Sequence, residues 1–77
     1  MQRYLYEMKR GERGVVLQVL GKGALRQRVL DMGITSGTEI TVSDMAPFGD
    51  PMLLRLRGYT LSIRKEDAKR ILLEVRP

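Results

Sequence analysis

The residue types that carry most enzyme chemistry are missing from this chain. Among its 77 residues there is no histidine and no cysteine. Imidazole is the side chain best suited to proton transfer near neutrality, and the cysteine thiolate is a strong nucleophile. No serine or threonine has an evident activating base in the sequence. The composition therefore predicts that the chain is not an enzyme and has no catalytic residues.

Metal and acid–base chemistry have few other candidates. Asp44, Asp50, Glu66 and Asp67 could form a carboxylate pair, but so short a chain offers no deep substrate cleft. Tight iron or zinc sites normally use imidazole or thiolate ligands. Methionines without a short repeated spacing are typical of a core, and here they stand at Met1, Met8, Met32, Met45 and Met52. We expect no metal site and no cofactor.

The segment Gly21-Lys22-Gly23 is the nearest approach to an anion-binding loop. It lies between a predicted strand and a predicted helix, where free amide groups and a lysine could attract an anion. The phosphate-binding loop of NTPases requires Ser or Thr after Gly-Lys, and here Gly23 follows. The dinucleotide-binding pattern would require glycine at the position of Arg26. A plain tight turn is the better interpretation.

The elements that must position any functional residue are short. Glycine, proline and alternating apolar residues predict five strands, at residues 12–20, 38–42, 52–57, 60–63 and 71–76. A helix is predicted over residues 23–32, with Leu25, Val29 and Met32 on the face that packs on the sheet. Residues 47–51 form a defined loop, and residues 65–70 form one helical turn.

This pattern predicts an all-β fold in a single domain of residues 1–77. At this length the feasible architecture is a small, partly open barrel of about five strands, with one short helix between the first and second strands. No apolar run approaches the roughly 20 residues needed to span a bilayer, and residues 1–4 carry no secretory signal. We therefore expect a cytoplasmic protein with no membrane insertion of its own.

Surface contact with a partner is the remaining way for such a chain to act. The net charge is +5, but the basic residues are spread along the whole chain, which favours a solvated surface over a nucleic-acid patch. A basic helix edge beside apolar groups of the 47–51 loop suits a protein interface. The predicted partner-binding residues are Arg26, Arg28, Phe48, Asp50 and Met52. In the alternative, Phe48 and Met52 plug one end of the barrel and the arginines are only solvated.

Several ordered motifs cover nearly the whole chain and resemble the FeoA family. The most specific are Leu30-Asp31-Met32-Gly33 and Pro47-Phe48-Gly49-Asp50-Pro51. They are accompanied by Gly11-Glu12-Arg13-Gly14-x-Val16, by Gly37-Thr38, and by Leu61-Ser62-Ile63-Arg64-Lys65-Glu66-x-Ala68. One departure is Ser36, where the family often has proline.

The resemblance implies an SH3-like barrel in the bacterial cytoplasm that is an accessory to ferrous iron transport. Its partner would be the membrane transporter FeoB, whose soluble part is a GTP-binding domain. Two alternatives stay open. One is a detached regulatory domain of the kind found in diphtheria-toxin-repressor-like iron regulators, and the other is a nucleic-acid-binding small barrel.

Overall fold

The computed structural model describes residues 1–76, which form one antiparallel sheet with two short helices. The strands follow in spatial order β1-β6-β2-β3-β4-β5, and within the described residues the edge strands β1 and β5 do not pair. The strands are β1 Gln2–Tyr4, β2 Arg13–Val19, β3 Glu39–Met45, β4 Met52–Leu56, β5 Tyr59–Ile63 and β6 Ile71–Val75. The α-helices are α1 Gly23–Asp31 and α2 Lys65–Ala68, and 3₁₀ turns cover Leu5–Glu7 and Pro47–Gly49.

The structure confirms the predicted fold, a mainly β, partly open barrel. The helix lies between the first two predicted strands, as expected. The sequence missed one strand, β1, which pairs with β6 through Arg3 opposite Leu73. A strand of three residues shows no period of its own. Its pairing partner lies at the far end of the chain, so local patterning cannot predict it.

Two register shifts let the sheet curl into a barrel. β2 shifts between Val16 and Gln18 against β6, and β3 shifts between Val42 and Asp44 against β4. An extra residue on one strand bends that strand and increases its twist. Gly14 allows β2 and β6 to approach closely, because a Cβ at this position would lie 2.7 Å from the carbonyl oxygen of Glu74.

Alternation along the strands fills the barrel interior with aliphatic side chains. In β4, Met52, Leu54 and Leu56 point inward and are at most 3% exposed, while Leu53 and Arg55 point outward. Ile40 and Leu73 reach the same core from β3 and β6. Truncating such a fully buried aliphatic side chain to alanine typically costs about 2–5 kcal/mol. The core is therefore the main source of stability in a chain this short.

Fewer side chains of helix α1 are buried than its sequence pattern predicts. Val29 is fully buried and Met32 is half-buried, but Leu25 is 39% exposed, so its prediction as a core residue was wrong. Lys22 precedes the helix without a side-chain capping bond. At the other end Gly33 takes a φ of +91°, and a Cβ there would meet the Tyr59 hydroxyl at 2.7 Å. Within residues 1–76 no helix combines the length and apolar character that a membrane crossing requires.

Candidate partner-binding surface

The two helix arginines predicted to contact a partner are also engaged in structural bonds. Arg26 Nε donates to the carbonyl oxygen of Val19 at 3.0 Å and ties α1 to the end of β2. Arg28 Nη2 donates to Asp67 Oδ1 at 2.6 Å, and the Asp67 side chain is only 5% exposed. Arg28 itself is half exposed, so it joins α1 to α2 while keeping part of its guanidinium at the surface.

A second set of polar bonds, which the sequence did not predict, joins the segment between α1 and β3 to the β4–β5 hairpin. Arg57 donates to the hydroxyl of Thr38 at 2.8 Å and that of Thr35 at 3.0 Å, and Tyr59 donates its hydroxyl to the carbonyl of Met32. Arg57 and Gly58 both have positive φ, 47° and 82°, as a two-residue hairpin turn requires. The sequence predicts a turn at Gly58-Tyr59, whereas the structure forms it one residue earlier, at Arg57-Gly58. No local signal predicts which residues the Arg57 side chain contacts.

The 47–51 loop is fixed to the barrel at both ends. The amide of Ala46 donates to the carbonyl of Pro51 at 2.9 Å, and that of Gly49 donates to the carbonyl of Ala46 at 2.8 Å. Asp50 Oδ1 accepts the amide of Lys65 at 3.1 Å, which satisfies a free N–H in the first turn of α2. Asp50 therefore connects the loop to α2, and its contact with a partner stays a prediction.

Phe48 and Met52 lie in opposite environments. Phe48 is 99% exposed at the tip of the loop, with a φ of 69°. Met52 is 1% exposed and belongs to the core, so it offers a partner almost no surface. The two residues that the sequence analysis treated together are separated by the start of β4, where side-chain alternation places Met52 inward. Met52 plugs the barrel and Phe48 does not.

The base of the loop that carries Phe48 has a shallow, mainly apolar surface. A hollow of about 230 Å³ lies here, and its lining is mainly apolar but includes Asp44 and Ser62. The apolar lining residues are Met45, Ala46, Pro51, Met52 and Leu53. Leu53 points outward from β4 and is 38% exposed. We call Phe48, Pro51 and Leu53 the loop surface. Arg64, exposed beside Lys65 at the start of α2, adds positive charge next to it.

The described residues have few means of holding an ion. Across residues 1–76 no three histidine, cysteine or acidic side chains come together in a way that could hold a metal. The carboxylates of Asp50 and Asp67 already accept hydrogen bonds from Lys65 and Arg28. The arrangement presents a rigid loop with an exposed apolar side chain next to basic side chains. Such a surface suits binding to a protein partner.

The model of the FeoA domain family matches residues 3–75 of this chain. The chain is 41% identical over 71 residues to the Fe(2+) transport protein A/Fe(2+) transporter FeoB fusion protein of Porphyromonas gingivalis. That alignment covers 92% of this chain and 8% of the fusion protein. The chain is also similar to the solved structure of a FeoA-like protein from Clostridium acetobutylicum, with 43% identity and a TM-score of 0.91 over 99% of this chain and 88% of that one.

More distant structures share the fold alone. FeoA of Stenotrophomonas maltophilia, described as an SH3 domain protein, is 24% identical with a TM-score of 0.78, over 96% of this chain and 89% of that one. A manganese-dependent transcriptional repressor is 16% identical with a TM-score of 0.87, over 97% of this chain and 42% of that one. The SH3-like barrel implied by the sequence motifs is confirmed. With a family model matching nearly its whole length, the chain belongs to the FeoA domain family.

Proposed function

We propose that this chain is an accessory protein of ferrous iron uptake, which acts at the cytoplasmic face of the membrane by binding a FeoB-type transporter. It works by contact, without catalysis and without a metal or cofactor of its own. The observation that carries this proposal is the fusion, in one polypeptide, of a relative of this chain with the transporter.

The fusion supports physical contact for a thermodynamic reason. Joining two modules by a linker makes their encounter intramolecular, with an effective concentration on the order of millimolar for short flexible linkers. Such a linkage strengthens a contact that the two modules already make. When the same modules are separate chains, the contact depends on surface complementarity alone. We assign the contact with the transporter to the loop surface and to the exposed part of the α1 arginines.

Recovery from membranes tests the proposal. The tagged chain is co-expressed with the FeoB-type transporter of the same organism, purified from detergent-solubilised membranes, and its companions are identified by mass spectrometry. We expect the transporter to co-purify with the tagged chain and not with the free tag. Recovery of nucleic acid alone, or of no transporter, would contradict the proposal.

The alternative of a nucleic-acid-binding barrel has its own signature. Binding dominated by phosphate contacts weakens steeply as the salt concentration rises. Titrating the chain with single-stranded RNA at two ionic strengths therefore separates the two functions. We expect no saturable binding at low salt, and a steep salt dependence would favour the nucleic-acid function instead.

A further inference from the structure

We propose that Phe48 is the anchor of the transporter contact: its ring inserts into an apolar pocket on the cytoplasmic part of the FeoB-type transporter, and carboxylates at the rim of that pocket face Arg64. The identity of the partner rests on the proposed function above. The anchor itself rests on four observations of this chain.

The first observation is the exposure of Phe48. It is 99% exposed, whereas the next most exposed large apolar side chain, Met1, is 71% exposed and the others are near 40%. A solvated phenylalanine contributes nothing to the core, yet an aromatic ring buries about 150–250 Å² when it enters a pocket. Large aromatic side chains at the centre of an interface are often the residues on which affinity depends.

The second observation is the backbone conformation of Phe48. Its φ of 69° and ψ of 8° lie in the left-handed region, which glycine adopts freely and bulky residues rarely occupy. Solvent exposure and backbone geometry would both favour glycine or asparagine at this position. The presence of phenylalanine is explained if the residue is kept for a contact outside the domain.

The third observation is the rigidity of the loop that carries the ring. Its base is closed by the bonds between Ala46 and Pro51, and its far end is held by Asp50 on the amide of Lys65. Pro47 fixes the backbone just before the ring. An anchor that is held in place before binding loses less conformational entropy when it binds.

The fourth observation is the charge beside the loop. Arg64 is exposed at the residue before α2, and it forms no ion pair within residues 1–76. Two acids lie on the same surface: Asp50, whose carboxylate accepts the backbone amide of Lys65, and Asp44, which lines the hollow at the base of the loop. Arg64 is therefore a cation of this surface that is left without an ion pair within residues 1–76, and a carboxylate at the rim of a protein pocket would pair with it. A lipid surface is the competing occupant.

The test compares three variants and one control variant with the wild-type chain in binding to the purified FeoB-type transporter in nanodiscs. Phe48→Gly removes the ring and relieves the backbone, so we expect at least about 30-fold weaker binding with an unchanged or higher melting temperature. Phe48→Asn, which tolerates the same φ, should behave alike. Arg64→Glu should also weaken binding. The control Leu17→Ala removes a 38% exposed side chain of β2, outside the loop surface, and should stay within about twofold.

Each outcome separates the anchor from the function. If the wild type binds and both Phe48 variants bind within about twofold of it, Phe48 is not the anchor, although the proposed function stands. If the wild type itself does not bind, both proposals fail. Sedimentation with phosphatidylethanolamine–phosphatidylglycerol vesicles covers the lipid occupant: pelleting of the wild type that is lost in Phe48→Gly would overturn the protein pocket.

Discussion

At the scale of single residues, the stability of the fold depends on pairing the buried carboxylate of Asp67. Asp67 is 3% exposed, and its carboxylate is met by Arg28 from the other helix. A carboxylate withdrawn from water is costly unless it is paired. The basic character of α1, interpreted from the sequence as a partner-contact feature, thus has a structural part.

Removing the Arg28 guanidinium should therefore destabilise the fold. We expect Arg28→Met to lower the free energy of unfolding by about 1–3 kcal/mol, because Asp67 would be left without its charged partner. Arg26→Met, which removes only a bond to a carbonyl, should cost less. Urea denaturation measures both. Equal and negligible losses in the free energy of unfolding would contradict the structural role of Arg28. Because Arg28 pairs with Asp67, reversing its charge would disturb the fold as well as any partner contact.

Glu12 should make the stability of the domain depend on pH. Its carboxylate accepts the amide of Lys9 at 2.7 Å and the guanidinium of Arg3 at 2.8 Å. The backbone bond from Lys9, helped by Arg3, lowers the pKa of Glu12 below its ordinary value. The ionised form therefore stabilises the fold fully above the unfolded pKa, about 4.3, and this stability is lost as the pH falls through the lower, folded value.

We accordingly expect Glu12→Gln to melt at a lower temperature than the wild type at pH 7, and the difference to shrink as the pH falls below 4.3. Melting curves followed by circular dichroism across this range check the prediction. Glu39→Gln, at an exposed residue of β3, is the control. A difference in melting temperature that stays constant with pH would show that the charge of Glu12 has no part in stability.

At the scale of elements, the sequence predicts what alternation and turn chemistry determine. Strand β4 and the loop before it follow directly from Pro47, Gly49 and the apolar alternation that begins at Met52. The sequence does not predict strands that form only by pairing with a distant segment, such as β1 with β6. On α1 the prediction of an inward side chain is correct for Val29 and wrong for Leu25, which is 39% exposed. Arg26 and Arg28 of the same helix bond to Val19 and Asp67, and the helical period does not predict these polar bonds.

Asp50 tests how the loop and α2 depend on one another. Asp50→Ala removes the acceptor of the Lys65 amide, so we expect a loss of about 1 kcal/mol in the free energy of unfolding, typical of a lost helix cap. Asp50→Asn keeps an oxygen acceptor and should lose less than half as much. Chemical denaturation of the two variants decides. If they are equally stable, the bond to Lys65 contributes nothing.

At the scale of the whole molecule, the candidate site was only partly predictable. The sequence placed Phe48 and Met52 in one contact surface, but only the folded barrel shows that alternation buries Met52 while the loop carries Phe48 outward. The exposure of Phe48 and its positive φ cannot be predicted from the residue type, because phenylalanine is usually buried and rarely has a positive φ. The same fold also occurs in a transcriptional repressor, so the barrel by itself does not specify a function. The function must be carried by its surface.

The rate of ferrous iron uptake by living cells shows whether this chain assists the transporter. Cells that make the FeoB-type transporter are compared with and without this chain, with the transporter at equal abundance, and the initial rate of ⁵⁵Fe²⁺ entry is measured. We expect slower entry without the chain, restored by the wild type and not by Phe48→Gly. Equal rates of entry with and without the chain would contradict the proposed function.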